Sequence, residues 1–180
     1  MKLTLTMIKK NSTFLQFEMK RHYTKPKGFV GRQIFYEIRY DNIYYGCIGF
    51  GSPTLHLIGR NVEYPLINGL NNIFYHIERF ENNKYPLRNF TTRCLLEAEK
   101  LVISDYKEKY KDEVKWFETL VEPPRTGELY IKGGYTLVGI TKGFTCKRVN
   151  GKSSDKWSGQ RIWNREVLKP KLVFIKRVLS

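Results

Sequence analysis

The stretch LNNIFYHIERFENNKYPLRNFTTRCLLEAEKLVISDYKEKYKDEVKWFETLVEPPRTGELYIKGGYTLVGITKG, residues 70–143, decides the fold. Its opening run, residues 70–80, is rich in aromatic and branched side chains and predicts a strand. The polar run ENNKYPLRN carries a proline and predicts a loop. Asn89 is then placed to cap a helix running through FTTRCLLEAEKLVISDYKEKYK. Cys94, Leu95, Ala98, Leu101, Val102 and Tyr106 recur three and four apart, which predicts one buried stripe. VKWFETLVE, residues 114–122, predicts a second strand that Pro123 and Pro124 stop. In the last part, Leu129, Tyr130 and Ile131 suit a short helix. Gly133 and Gly134 suit a tight turn, and YTLVGI suits a strand.

The order is strand, helix, strand, helix, strand. Two strands joined by a long helix are expected to lie parallel, with a right-handed crossover. The amino end of the long helix then sits by the carboxyl end of the first strand. Its unbonded N–H groups, with Arg88 and Arg93 beside them, make an anion site or a plain capped end facing water.

The last run, GELYIKGGYTLVGITKG, resembles the final signature of the GNAT acyltransferase superfamily. The wider run from Trp116 to Gly143, with KPKLVFIKRVL near the end, resembles the Druantia protein A-like family of anti-phage defence and mobile-element proteins. That family is similar in pattern to the Mom-type DNA adenine-modifying proteins of phages. The resemblance implies an α/β (α+β) fold, a GNAT-like mixed central sheet flanked by helices. The length of 180 residues predicts one GNAT-like domain over residues 1–180, and its amino- and carboxyl-terminal segments are basic. The segment NKYPLRNFTTR departs from the GNAT pyrophosphate loop Q/R-x-x-G-x-G/A, because it has no glycine. Acyl-CoA is thus a possible donor without its usual loop, and the cofactor stays unassigned. Arg79, Lys84, Arg88, Asn89, Thr91 and Arg93 are the candidates to face an anionic donor, or a DNA phosphate in the case of the arginines. By the same resemblance, His22 and Tyr23 are candidates for the substrate pocket.

Chain length, with 41% hydrophobic and 14% aromatic residues, predicts a folded globule with a core of its own. No apolar run approaches the roughly 18 residues of a membrane span. MKLTLTMIKK is too short for a secretory signal. Cys47, Cys94 and Cys146 are far apart and odd in number, so no disulfide framework is expected and a cytoplasmic setting is.

The net charge of +15 is unevenly spread. Residues 1–40 hold nine Lys/Arg against two Asp/Glu, and residues 141–180 hold eleven against two. The middle holds twelve against thirteen. If the basic ends meet on one face, they form the footprint of a polyanion binder, with DNA the expected partner. Lys25, Lys27, Arg32, Arg125, Lys142, Lys147, Arg148, Lys152 and Arg161 are the expected phosphate contacts. Trp157 is placed to stack on an exposed base or to pack on the sheet. Oligomeric state is not legible.

Outside the deciding stretch, residues 1–10 predict a short strand and residues 14–21 a helix. QIFYEIRY and IYYGCIGF predict an antiparallel hairpin turning at Asp41-Asn42. Gly46, Gly49 and Gly51 fit bulges better than a nucleotide loop, because Ser52-Pro53 follows instead of a helix. Residues 54–69 read as a connector and residues 150–160 as a loop. KPKLVFIKRVL predicts a final strand.

For chemistry, His22, His56 and His76 lack metal-ligand spacing, so no metal site is expected. No G-x-S-x-G is present, and Glu113-Val114-Lys115 is a poor match to a nuclease E-x-K. Glu118 is the candidate general base, if it faces the cleft between the parallel strands instead of solvent. Tyr130 is the candidate proton donor to a leaving group, or a core aromatic. Three functions follow: a transferase that modifies a nucleobase in DNA, a non-catalytic DNA-binding accessory protein, and an acyl-CoA-dependent acyltransferase on a protein or small molecule.

Overall fold

In chain order, the computed structural model forms β1 (Leu3–Ile8), α1 (Thr13–Arg21), β2 (Gln33–Tyr40), β3 (Ile43–Gly51) and β4 (Gly69–Ile77). There follow α2 (Phe90–Tyr110), β5 (Trp116–Val121), α3 (Glu128–Lys132), β6 (Thr136–Ile140), β7 (Phe144–Arg148), β8 (Trp163–Val167) and β9 (Leu172–Arg177). The structure describes residues 2–26, 28–53, 68–78, 85–142, 144–148, 163–167 and 169–178. The connector expected over 54–69 lies outside them as far as residue 67, with Gly69 already in β4, and the loop expected at 150–160 lies outside them entirely. Every expected strand and helix on described residues is present.

Seven strands make one sheet in the order β1-β2-β3-β4-β5-β9-β6. The pair β4 and β5 is parallel, as the α2 crossover requires. The other neighbours are antiparallel. The final strand, β9, enters between β5 and β6. A hydrophobic pattern marks a strand but not its neighbour, so that insertion was not legible. The pair β7 and β8 forms a separate antiparallel ribbon that the sequence reading lacked.

Helix α2 buries Cys94, Leu95, Ala98, Val102 and Tyr106 against Ile34, Tyr36, Ile38, Ile48, Phe50, Leu70 and Phe117. Leu101 is a correction: it is 37% exposed, because it lies one residue off the stripe that Val102 completes. On the other face of the sheet, Leu15 and Met19 of α1 pack on Phe35, Cys47 and Phe74. No described helix is long and apolar enough to cross a membrane.

Two details shape the centre. The β3–β4 register jumps between Gly49↔Phe74 and Phe50↔Asn72, so Ile73 is an extra residue and β4 bends there. Strands β4 and β5 pair only at Gly69↔Trp116, Leu70↔Phe117 and Asn71↔Glu118. Gly69 permits that approach, since a Cβ on it would lie 2.2 Å from the Trp116 ring.

Among the described strands, those of the two basic ends are not neighbours in the seven-stranded sheet. β1 lies at one edge of the sheet, and β9 lies beyond β5 toward the other edge.

Candidate active site

Where β4 and β5 part, a cleft of about 840 Å³ opens. Its walls are residues 71–77 of β4, residues 119–121 of β5, the segment 124–130 and residues 22–24 after α1. Asn72 builds the floor. Its Nδ2 donates to the carbonyls of Gly49 at 3.1 Å and Phe74 at 3.3 Å, which holds the bulge. Its Oδ1 accepts the Tyr130 hydroxyl at 2.7 Å, and its carbonyl accepts Thr119 Oγ1 at 3.4 Å. Side chains thus replace the backbone ladder where the strands separate.

A histidine and a buried carboxylate meet on this cleft. His76 lines the wall, and its Nδ1 is hydrogen-bonded to Glu18. Glu18 is fully buried, and its other oxygen accepts the Tyr44 hydroxyl at 3.1 Å. A carboxylate at Nδ1 holds the proton there and leaves Nε2 of a neutral ring as the acceptor. The chain builds this locally. Leu15, Glu18 and Met19 share the buried stripe of α1 at spacings of three and four, which carries the carboxylate under the sheet. Gly46 lets β3 approach, because a Cβ there would sit 2.1 Å from the His76 carbonyl oxygen. The sequence reading missed this pair. Its signal was a glutamate on an apolar helical stripe, together with a histidine two residues from Phe74 on the same strand face.

His22 and Tyr23, the residues the resemblance offered for a substrate pocket, both line the cleft. The His22 Nδ1 lies 2.7 Å from Thr24 Oγ1 and accepts the Thr24 N–H at 3.3 Å, and a backbone hydrogen bond to Tyr75 further holds the ring. Burial first, then the neighbouring His76 and Arg125, pushes its pKa down to about 4. The ring is a neutral strut. Tyr23 stands beside it, with ring centroids 4.4 Å apart. The Arg125 guanidinium lies 3.4 Å over the Tyr23 ring. Burial raises the Tyr23 phenol above its ordinary pKa, with Arg125 opposing.

Glu118 also departs from expectation. It is fully buried and lies in the paired part of β5, opposite Asn71. Alternation puts it on the face away from Phe117, and the cleft begins one residue later, at Thr119. Tyr130 does line the cleft. Burial raises its phenol well above the ordinary value, so it stays protonated.

At the donor end, Thr91 lines the cleft. Arg88, Asn89 and Arg93 are exposed, and Arg93 faces a second depression with Leu96, Glu97 and Lys100. Asn89 is not the expected side-chain cap. It sits at φ 57° and ψ 29° with no side-chain cap bond, and no acidic residue occupies the first turn of α2. Asparagine tolerates that left-handed conformation better than most residues, so it makes the turn that a glycine would otherwise make. The helix end keeps amide donors and positive character for an anion. Arg79 and Lys84 lie outside the described residues.

Of the expected phosphate contacts, Arg125 is on the cleft wall and Lys25 is exposed just beyond residues 22–24. Arg32 is elsewhere: it pairs with Asp112 and lies over Tyr110 at 5.3 Å, at the end where β4 begins. Lys142 is exposed after β6, and Lys147 and Arg148 belong to β7. Lys27, Lys152, Trp157 and Arg161 lie outside the described residues. Among the described residues no His, Cys, Asp or Glu cluster suits a metal.

No family model matches the sequence. No curated protein matches it either. Solved structures do match the fold. A Bacillus subtilis acetyltransferase in complex with CoA superposes with a TM-score of 0.57 at 12% identity, covering 99% of this chain and 100% of that one. A GNAT family acetyltransferase from Elizabethkingia anophelis with acetyl-CoA bound gives 0.51 at 13%, covering 98% of each chain. The aminoglycoside 6'-N-acetyltransferase of Enterococcus faecium gives 0.56 at 13%, again covering 98% of each. The fold is that of the GNAT acetyltransferases.

Proposed function

We propose that this chain is an acyltransferase that moves an acyl group from an acyl-CoA thioester to an amine. The gap between β4 and β5 carries the reading. Among the described strands β4 and β5 are the parallel pair, and they part to leave a cleft at their carboxyl ends and beside the amino end of a long helix. The residues present fit such a donor. The α2 amino end, with Arg88, offers amides and charge to its phosphates, and Thr91 and the β4 and β5 edges line the space beyond. When bound, the donor supplies an activated acyl carbonyl.

The chain's own residues handle the acceptor. His76 Nε2 takes the amine proton, and Glu18 fixes the ring and stabilises the imidazolium. Tyr130 lies on the same cleft as a protonated phenol and is the proton donor on the far wall. Glu18 is a positioning residue, since it is fully buried.

A transferase acting on nucleobases is the second reading, supported by the net charge of +15. The separation of β1 from β9 weakens it.

The test is thiol release from acetyl-CoA with a panel of amines. Wild type is expected to turn over, and His76→Gln to lose about 100-fold in kcat with little change in the KM for acetyl-CoA. Full activity in His76→Gln sinks the assignment of the base. No release with any amine, alongside new modified nucleosides in DNA from expressing cells, favours the second reading.

A further inference from the structure

We infer that the acceptor is a small amine carrying a carboxylate, and that Arg125 binds the carboxylate. This rests on the acyl-transfer reading above. Arg125 lies on the cleft wall with its guanidinium 3.4 Å over the Tyr23 ring. A guanidinium laid on a ring uses its face there and keeps its in-plane N–H donors at the edge, in the fork that suits a carboxylate. Neighbouring charges are already committed. The Glu122 carboxylate lies 3.7 Å from Lys169 and 4.0 Å from Lys171. Glu128 pairs with Lys132 at 2.6 Å, Arg21 pairs with Glu78, and Lys176 pairs with Glu99 at 2.5 Å. Among the described residues no carboxylate pairs with Arg125.

The spacing defines the ligand. His76 and His22 have ring centroids 5.8 Å apart, His22 and Tyr23 4.4 Å, and Arg125 lies over Tyr23. His76 and Arg125 are therefore linked along the cleft wall by successive ring contacts through His22 and Tyr23. An amine at His76 and a carboxylate at Arg125 belong to one molecule that crosses the His22 and Tyr23 rings between them. The neutral His22 between them adds no competing charge. The donor's phosphates belong to the α2 side of the sheet, whereas this row lies on the α1 side with Phe74.

The experiment compares a pool of linear ω-amino acids and aromatic amino acids with the matched pool of methyl esters, reading thiol release from acetyl-CoA. In wild type the acids are expected to exceed the esters by about tenfold or more in kcat/KM. In Arg125→Gln that ratio collapses while the KM for acetyl-CoA holds, which separates acceptor binding from donor binding. An unchanged ratio in Arg125→Gln, a preference for esters, or no stimulation by either pool over the acceptor-free rate overturns the carboxylate assignment and leaves acyl transfer standing. Absence of acetyl-CoA binding to wild type overturns the acyl-transfer reading and this inference with it.

Discussion

At the residue scale, two histidines on one cleft have been given opposite tasks by their surroundings. His76 meets a buried carboxylate through Nδ1 and lines the cleft. His22 meets a hydroxyl, an amide and aromatic rings, and loses its charge. The low pKa of His22 has a consequence for stability. Its folded value of about 4 lies below the unfolded value of 6.5, so the unfolded chain binds more protons between them. Its contribution is present above 6.5 and is lost as pH falls toward 4. The expected loss is on the order of 3 kcal/mol. Urea unfolding at pH 7 and pH 5 tests it: the midpoint is expected to fall with pH, and to fall less in His22→Asn. Equal pH dependence in both proteins contradicts the assigned burial.

The residue scale also shows what a sequence hides. Cys47 and Cys94 are buried and free. His22 was singled out only by resemblance, whereas Glu118 was singled out for chemistry because it is polar within an apolar run. That signal marks a buried polar group without saying whether it faces a ligand or a partner. Glu18 and His76 carry the same signal, and only the packing of α1 on β4 distinguishes them. Charge at the rim was better marked, since Arg125 follows two prolines that stop β5.

At the element scale, periodicity located strands and helices well, because burial has a strict period of two or near 3.6. The stripe on α2, the hairpin of β2 and β3, and the parallel β4 and β5 were all legible. The bulge at Ile73 and the entry of β9 between β5 and β6 were not, since both depend on contacts distant in sequence. The turn into α2 sits between these cases. Asn89 was legible as a boundary, but its left-handed backbone reverses the reason: it leaves the helix end open instead of capping it. Asn89→Ile places a β-branched residue at φ 57° and is expected to cost about 1–2 kcal/mol, and to weaken acetyl-CoA binding. Asn89→Gly is expected to keep both. Thermal unfolding and donor titration on the two variants check this, and equal behaviour of Ile and Gly contradicts it.

At the scale of the whole molecule, the sheet order explains why the cleft lies where it does. Two antiparallel sets, β1 to β4 and β5 with β9 and β6, join through a short parallel seam. The bulge of β4 at Ile73 lies beside that seam, and residues 22–24 after α1 and Thr91 of α2 line the space. Among the described residues, β1 of the basic amino-terminal segment and β9 of the basic carboxyl-terminal segment are separated in the sheet by β2, β3, β4 and β5.

The central claim is that the space between β4 and β5 binds a thioester donor. Calorimetric titration of acetyl-CoA into wild type and into Leu120→Trp, whose added ring would fill the cleft wall, tests it most directly. Saturable binding to wild type, abolished in a Leu120→Trp protein that unfolds at the wild-type temperature, is the expected result. Equal binding to both proteins, or none to wild type, contradicts the account.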